Sequence, residues 1–233
     1  MAVTRNQENE AFFREVDEEV RRERMERFAR RYGIIIAVLV ILALAAFGGA
    51  LWWNSHRDAL AGQRAEKFDA AMSALTGGKQ DDARKSFEAL AASGAKGYAP
   101  LSKVMLADMA IQDGKDADAA KQFMQVAQDE KVARPIRDLA LVRATAIDFD
   151  NLKPADVVNR LKPLAVPGNP WFGSAGEMTG LAYMKLNQPK KAGAVFASIT
   201  RDKTVPDSIR GRAAQLAGDL GFDAVQPGDS ARP

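Results

Sequence analysis

An uncharged apolar run between Gly33 and Trp53 constrains this chain more than any other feature of its sequence. The run, GIIIAVLVILALAAFGGALWW, has 21 residues. As a helix rising about 1.5 Å per residue, it covers the roughly 30 Å hydrocarbon core of a bilayer. A buried core helix of a soluble protein is normally shorter and keeps one polar edge. Residues 33–53 are therefore predicted to form a transmembrane helix.

The residues around this run favour an uncleaved signal anchor. Ala43-Leu44-Ala45 resembles a cleavage site, but 32 residues precede the run and apolar sequence continues past Ala45, unlike in a signal peptide. Basic residues are more numerous before the run (Arg14, Arg21, Arg22, Arg24, Arg27, Arg30, Arg31) than after it (Arg57, Arg64, Lys67). The positive-inside rule thus predicts a cytoplasmic N-terminus and places residues 54–233 across the membrane.

Residues 6–31 predict an exposed, highly charged helix. They contain neither Gly nor Pro, and acidic residues recur four positions before basic ones, a spacing that supports a solvated helix. A thin apolar stripe of Phe12, Val16 and Val20 runs along it. The stripe is either part of a simple solvated helix or a docking site for a cytoplasmic partner or the membrane surface. We keep its three residues as candidate partner contacts.

A degenerate repeat runs through the rest of the chain. Four segments align without gaps: KQDDARKSFEAL, KDADAAKQFMQV, KPADVVNRLKPL and QPKKAGAVFASI. In each, a small or branched residue is followed four positions later by a large apolar one; the pairs are Ala83/Phe87, Ala119/Phe123, Val157/Leu161 and Ala192/Phe196. This element, repeated about every 34 residues, is typical of the second helix of a tetratricopeptide repeat. Gly180 and Tyr183 match the corresponding first-helix element, and Leu106 with Ala107 matches it more weakly.

The predicted fold is all-α. An N-terminal charged helix and a single transmembrane helix lead into an α-solenoid of tetratricopeptide-like helix pairs. No segment alternates apolar and polar residues over a sustained stretch, so we expect no strands. Asn169-Pro170 is predicted to cap and open one helix, and Pro206-Asp207-Ser208 to open another. The predicted divisions are a cytoplasmic segment (1–32), the transmembrane helix (33–53), the repeat domain (54–221) and a flexible tail (222–233).

The residue types that carry most enzyme chemistry are scarce. There is no cysteine and only one histidine, His56, which adjoins the predicted span. The acidic pairs Asp81/Asp82, Asp116/Asp118 and Asp148/Asp150 fall at predicted helix ends, where carboxylates cap backbone amides or face water. The chain lacks the usual hydrolase, nucleotide and metal motifs. The net charge of +3 has no basic block, which disfavours nucleic-acid binding. We therefore predict no enzyme activity, cofactor, metal or small-molecule substrate.

The stretch 166–186 concentrates aromatic residues, among them Trp171, Phe172 and Tyr183. Trp171 and Phe172 can fill the groove between neighbouring helix pairs. Alternatively, the three side chains form a partner-binding patch, because exposed Trp and Tyr often anchor interfaces. They complete the candidate partner contacts.

Several strings together resemble a known family. EAFFREVDEEVRRERM, IRDLALVRATAIDFD, LKPLAVPGNPWFGSAGEMTGLAYMKL and VPDSIRGRAAQLAGDLG are similar to the alphaproteobacterial branch of the YfgM-like ancillary subunits of the SecYEG translocon. The resemblance implies a single-pass protein of the bacterial inner membrane. It implies that the periplasmic repeats bind a membrane-anchored, prolyl-isomerase-like chaperone beside SecYEG, itself a partner of the protein, and assist newly exported proteins without catalysis.

Three other functions stay open on the sequence alone. The repeats could be a scaffold for cell-envelope assembly or division. The chain could be a hydrolase without a recognisable motif, or a receptor domain in the reversed, cytosolic orientation.

Overall fold

The structure is a computed structural model that describes residues 3–222, with side chains from Arg30 onward except Gly33, Ile36 and Asp58. Over these residues the chain folds into nine helices without a strand, which confirms the predicted all-α class. The helices are α1 (Val3–Thr76), α2 (Gln80–Ala92), α3 (Tyr98–Gln112), α4 (Asp116–Gln128), α5 (Arg134–Ile147), α6 (Pro154–Leu161), α7 (Phe172–Lys185), α8 (Pro189–Arg201) and α9 (Asp207–Asp219). Of the predicted tail (222–233), Phe222 is described and packs against the core near α8 and α9, and the other residues lie outside the described part of the chain.

The chain divides into two units after Gly62, and α1 belongs to both. In the first unit, the described apolar side chains from Ile34 to Trp53 are exposed. Among the described residues, α1 is the one helix long and apolar enough to cross a membrane. At the far end of the apolar run, the rings of Trp52 and His56 stack with centroids 5.5 Å apart. The predicted charged and apolar segments thus form one continuous helix.

The second unit is a row of helices in which each packs against the next along the chain. The second helix of each helix pair (α2, α4, α6 and α8) carries one of the predicted residue pairs. All eight residues of those pairs are at most 1% exposed. The spacing therefore identified the core, and the solenoid prediction is confirmed.

Three turns between paired helices have the same backbone conformation. Gly78, Gly114 and Asn187 have φ of 77°, 74° and 57°. The residue after each donates its backbone N–H to a carbonyl five positions back, on Ala74, Ala110 and Tyr183 respectively. This bond pattern ends a helix in a left-handed residue and reverses the chain. It sets consecutive helices antiparallel.

Gly180 marks a close approach between the two helices α7 and α8. A Cβ built on it would lie 2.5 Å from the Phe196 ring of α8, closer than carbon atoms pack. Phe196 is fully buried, so its ring has little room to move. The glycine of the first-helix element and the phenylalanine of the second-helix element thus form one contact.

We expect Gly180→Ala to destabilise the second unit by about 1–3 kcal/mol, because the methyl group overpacks this contact. Urea unfolding of the full chain, followed by circular dichroism, measures the change. Gly211→Ala is the matched control, because a Cβ there meets no atom within 4 Å. Equal midpoints for the two variants would contradict the close packing.

Candidate functional site

The odd-numbered helices of the second unit form one face of the solenoid. Helix α3 contacts α5, α5 contacts α7, and α7 contacts α9, in addition to their neighbours along the chain. Since alternate helices of an antiparallel row run the same way, this face presents parallel helices side by side. Any groove between them is shaped by residues one repeat apart.

A groove of about 520 Å³ lies across α3, α5 and α7. Its apolar lining consists of Val104, Met105, Leu139, Val142, Ala146, Trp171 and Met178. The two valines are buried, and Met105, Leu139, Met178 and Trp171 are half-buried. Half-buried methionines adapt to different apolar groups. The groove therefore offers an apolar floor suited to side chains of a bound polypeptide.

Two charged pairs frame this floor. Arg143 on α5 pairs with Asp108 on α3, and Arg212 on α9 pairs with Glu177 on α7. The second pair is bidentate, with Nε–Oε1 and Nη2–Oε2 distances of 2.7 and 2.8 Å. The hydrogen bond and the charge of Glu177 raise the pKa of Arg212. Partly exposed pairs contribute little stability, so their main effect is to hold the groove rims in place.

A third pair follows the same spacing. Lys185 on α7 donates to Asp150, which follows α5, at 2.7 Å. Its ammonium also lies 4.6 Å from the centre of the Phe149 ring. In all three pairs, the partners are 35 residues apart, one repeat period. Opposite charges one period apart are thus a sequence signal that could have identified Asp108, Arg143 and Glu177, the charged residues that line the groove.

Trp171 joins the groove to a second cavity. This cavity, of about 540 Å³, lies between residues 168–174 and 204–209, and Trp171 lines both spaces. The backbone N–H of Trp171 donates to Asn169 Oδ1 at 2.8 Å, and α7 begins only at Phe172. Asn169 is therefore not the helix cap that was predicted. Its side chain accepts from Trp171, the residue before the helix, and so stabilises a tight turn that precedes α7.

The structure separates the predicted aromatic patch. Phe172 is 1% exposed and packs with Phe196 and Val205 in the core, as in the groove-filling alternative. Tyr183 is half-buried, and the Lys191 ammonium lies 5.5 Å from its ring centre. Of the three, Trp171 lines the groove.

The predicted N-terminal contacts lie outside the described side chains. Phe12, Val16 and Val20 fall within the backbone of α1. As partner contacts they stay predictions.

The described residues offer no arrangement for metal chemistry. No group of three or more His, Asp or Glu side chains converges there. Asp81 and Asp82 lie in the first turn of α2, and Asp116 and Asp118 in that of α4. Carboxylates are favourable at helix N-termini, which accounts for these residues without a ligand.

Comparison with known proteins gives one family and one relative. The tetratricopeptide repeat-like domain family matches residues 26–219. The ancillary SecYEG translocon subunit of Escherichia coli (strain K12) is 26% identical over 187 residues, which cover 79% of this chain and 87% of that protein. No solved structure matches the chain.

Proposed function

This chain belongs to the tetratricopeptide repeat-like family, and on that premise we propose that it is a membrane-anchored, non-enzymatic protein-interaction module of the Sec translocon. Its repeat domain links SecYEG to a membrane-anchored periplasmic chaperone for exported proteins. The similarity to an ancillary SecYEG translocon subunit over most of both chains supports this assignment. Tethering concentrates the domain beside its partner, so modest affinity suffices.

The observation that carries the proposal is the apolar groove on the odd-helix face. Four of its side chains are partly open to solvent, although the rest of each packs against the core; they are Met105, Leu139, Met178 and Trp171. A rigid aromatic beside adaptable methionines is a combination that anchors protein interfaces. Because the flanking charges are already paired, the groove favours an uncharged apolar segment of the partner.

Crosslinking in intact membranes tests this function. A photoreactive amino acid at Ser174, in the groove, is expected to capture SecYEG subunits and a chaperone, identified by mass spectrometry. The same group at Gln125, exposed on α4, is the matched control on an even-numbered helix. Equal yields from the two positions, or only lipid adducts from Ser174, would contradict the proposal.

The proposed orientation places the second unit in the periplasm. We expect a reporter that is active only in the periplasm to be active when fused after Pro233. Fusion after Arg31, ahead of the apolar run, is the control and is expected to be inactive. The arginine excess before the span is the physical reason. A silent fusion after Pro233 with an active one after Arg31 would reverse the orientation.

A further inference from the structure

A pocket of about 500 Å³ at one edge of the second unit is lined by three lysines. Lys96 precedes α3, Lys103 lies on α3, and Lys131 follows α4. All three are exposed, and in the described part of the chain none has an ion-pair partner. The walls between them are small and apolar: Ala91, Ala95, Ala99, Pro100 and Val132. Three free ammonium groups around an apolar recess favour an anion with an apolar neighbour.

The acidic side chains nearby leave this charge largely uncompensated. Asp129 is the one acidic residue in the pocket lining. Its Oδ1 already accepts the backbone N–H of Lys131 at 3.0 Å. Glu130 is exposed beside it, and Asp138 is engaged by Arg134. With three lysines against one aspartate, the pocket itself stays positive.

The place of the pocket in the fold indicates where such an anion comes from. Because consecutive helices are antiparallel, the loops before α3, α5, α7 and α9 share one edge of the unit. The pocket combines two of these loops. The unit starts at Gln63, which is the N-terminal end of its first helical segment. That end lies at the same edge as the loops before α3 and α5. In the chain, the apolar run ends at Trp53, ten residues earlier.

We propose that this lysine pocket binds the phosphodiester headgroup of an anionic phospholipid. The ammonium groups neutralise the phosphate, and the alanine and proline walls cover the glycerol carbons. Because the transmembrane helix tethers the unit to the bilayer, its lysines meet lipid headgroups at high local concentration. Each lysine near an anionic surface strengthens the attraction about fivefold, so loss of all three weakens it by about a hundredfold.

The test measures lysine acetylation rates by mass spectrometry in the full chain. The protein is reconstituted in nanodiscs of phosphatidylcholine alone or with phosphatidylglycerol. Acetylation of Lys96, Lys103 and Lys131 is expected to slow several-fold with phosphatidylglycerol and to recover at high salt. Lys79 and Lys153 lie before even-numbered helices, at the opposite edge, and serve as internal controls. Equal slowing at both edges, or none, would overturn the proposal.

Two further acetylation measurements, made in detergent, distinguish a lipid headgroup from a soluble anion and from an acidic protein segment. If inorganic phosphate alone protects the three lysines as strongly as phosphatidylglycerol, the site takes soluble anions and the lipid proposal fails. If an acidic peptide protects them and the lipid does not, the pocket is a protein-docking site instead.

A variant series provides an independent readout. K96Q/K103Q/K131Q is expected to lose the phosphatidylglycerol adducts that native mass spectrometry detects on the wild-type chain. K79Q/K153Q/K190Q removes the same charge elsewhere and is expected to keep them. Equal adducts on both variants would overturn the assignment.

Discussion

Replacement of Phe123 by alanine is expected to lower the free energy of unfolding of the second unit by about 3–5 kcal/mol. The ring is fully buried at the centre of a cluster that includes Val104, Ala107 and Ala140, from α3 and α5. Its loss leaves a cavity between three helices that the neighbouring alanines are too short to fill. Urea unfolding of the full chain in detergent, followed by circular dichroism, measures the shift.

Two controls make this result specific to the repeat core. Gln125→Ala lies in the same helix, but its side chain is exposed, so it tests for any general effect of alanine in α4. Phe123→Leu keeps much of the buried volume and is expected to cost less than the alanine variant. A midpoint for Phe123→Ala that matches Gln125→Ala would show that this position is not part of the core.

The second-helix half of the fold was predictable because burial there depends on local spacing. Ala83 and Phe87, four positions apart, lie on one face of a helix, and that face must be covered. The same pair at each period left little freedom in the architecture. The continuity of α1 follows as well, because between Trp53 and Thr76 there is no proline and Gly62 is the one glycine, the two residue types that weaken a helix most.

The groove was less predictable because it depends on residues that keep partial exposure. Trp171 was found through its residue type, whereas Met105, Leu139 and Met178 have no pattern that separates a groove floor from a core. Phe172 was grouped with Trp171 because they are adjacent, but Trp171 lies ahead of the helix, and Phe172, its first residue, turns into the core. The Glu177–Arg212 and Asp108–Arg143 pairs required the 35-residue offset, which appears once the repeat register is applied to charges.

A pair of glutamates in the groove is expected to have the largest effect on partner binding. L139E/M178E places two carboxylates on the apolar floor, near Asp108 and Glu177, which also line the groove. Arg143, the cation in the groove lining, is already paired with Asp108. A partner segment seated there would therefore bury at least one added charge without a counterion, at a cost of about 2–5 kcal/mol. We therefore expect recovery of partners by crosslinking from Ser174 to fall by more than tenfold.

The interpretation of that loss depends on whether the variant remains folded. Leu139 and Met178 are half-buried, so the carboxylates of glutamates at these positions can reach solvent in the free protein. Circular dichroism is thus expected to show an unfolding midpoint closer to wild type than that of Phe123→Ala. Q125E/Q215E adds the same two negative charges at exposed positions of α4 and α9 and is expected to bind normally. If both double variants keep their partners, the odd-helix groove is not the binding face; if L139E/M178E alone loses them while folded, it is.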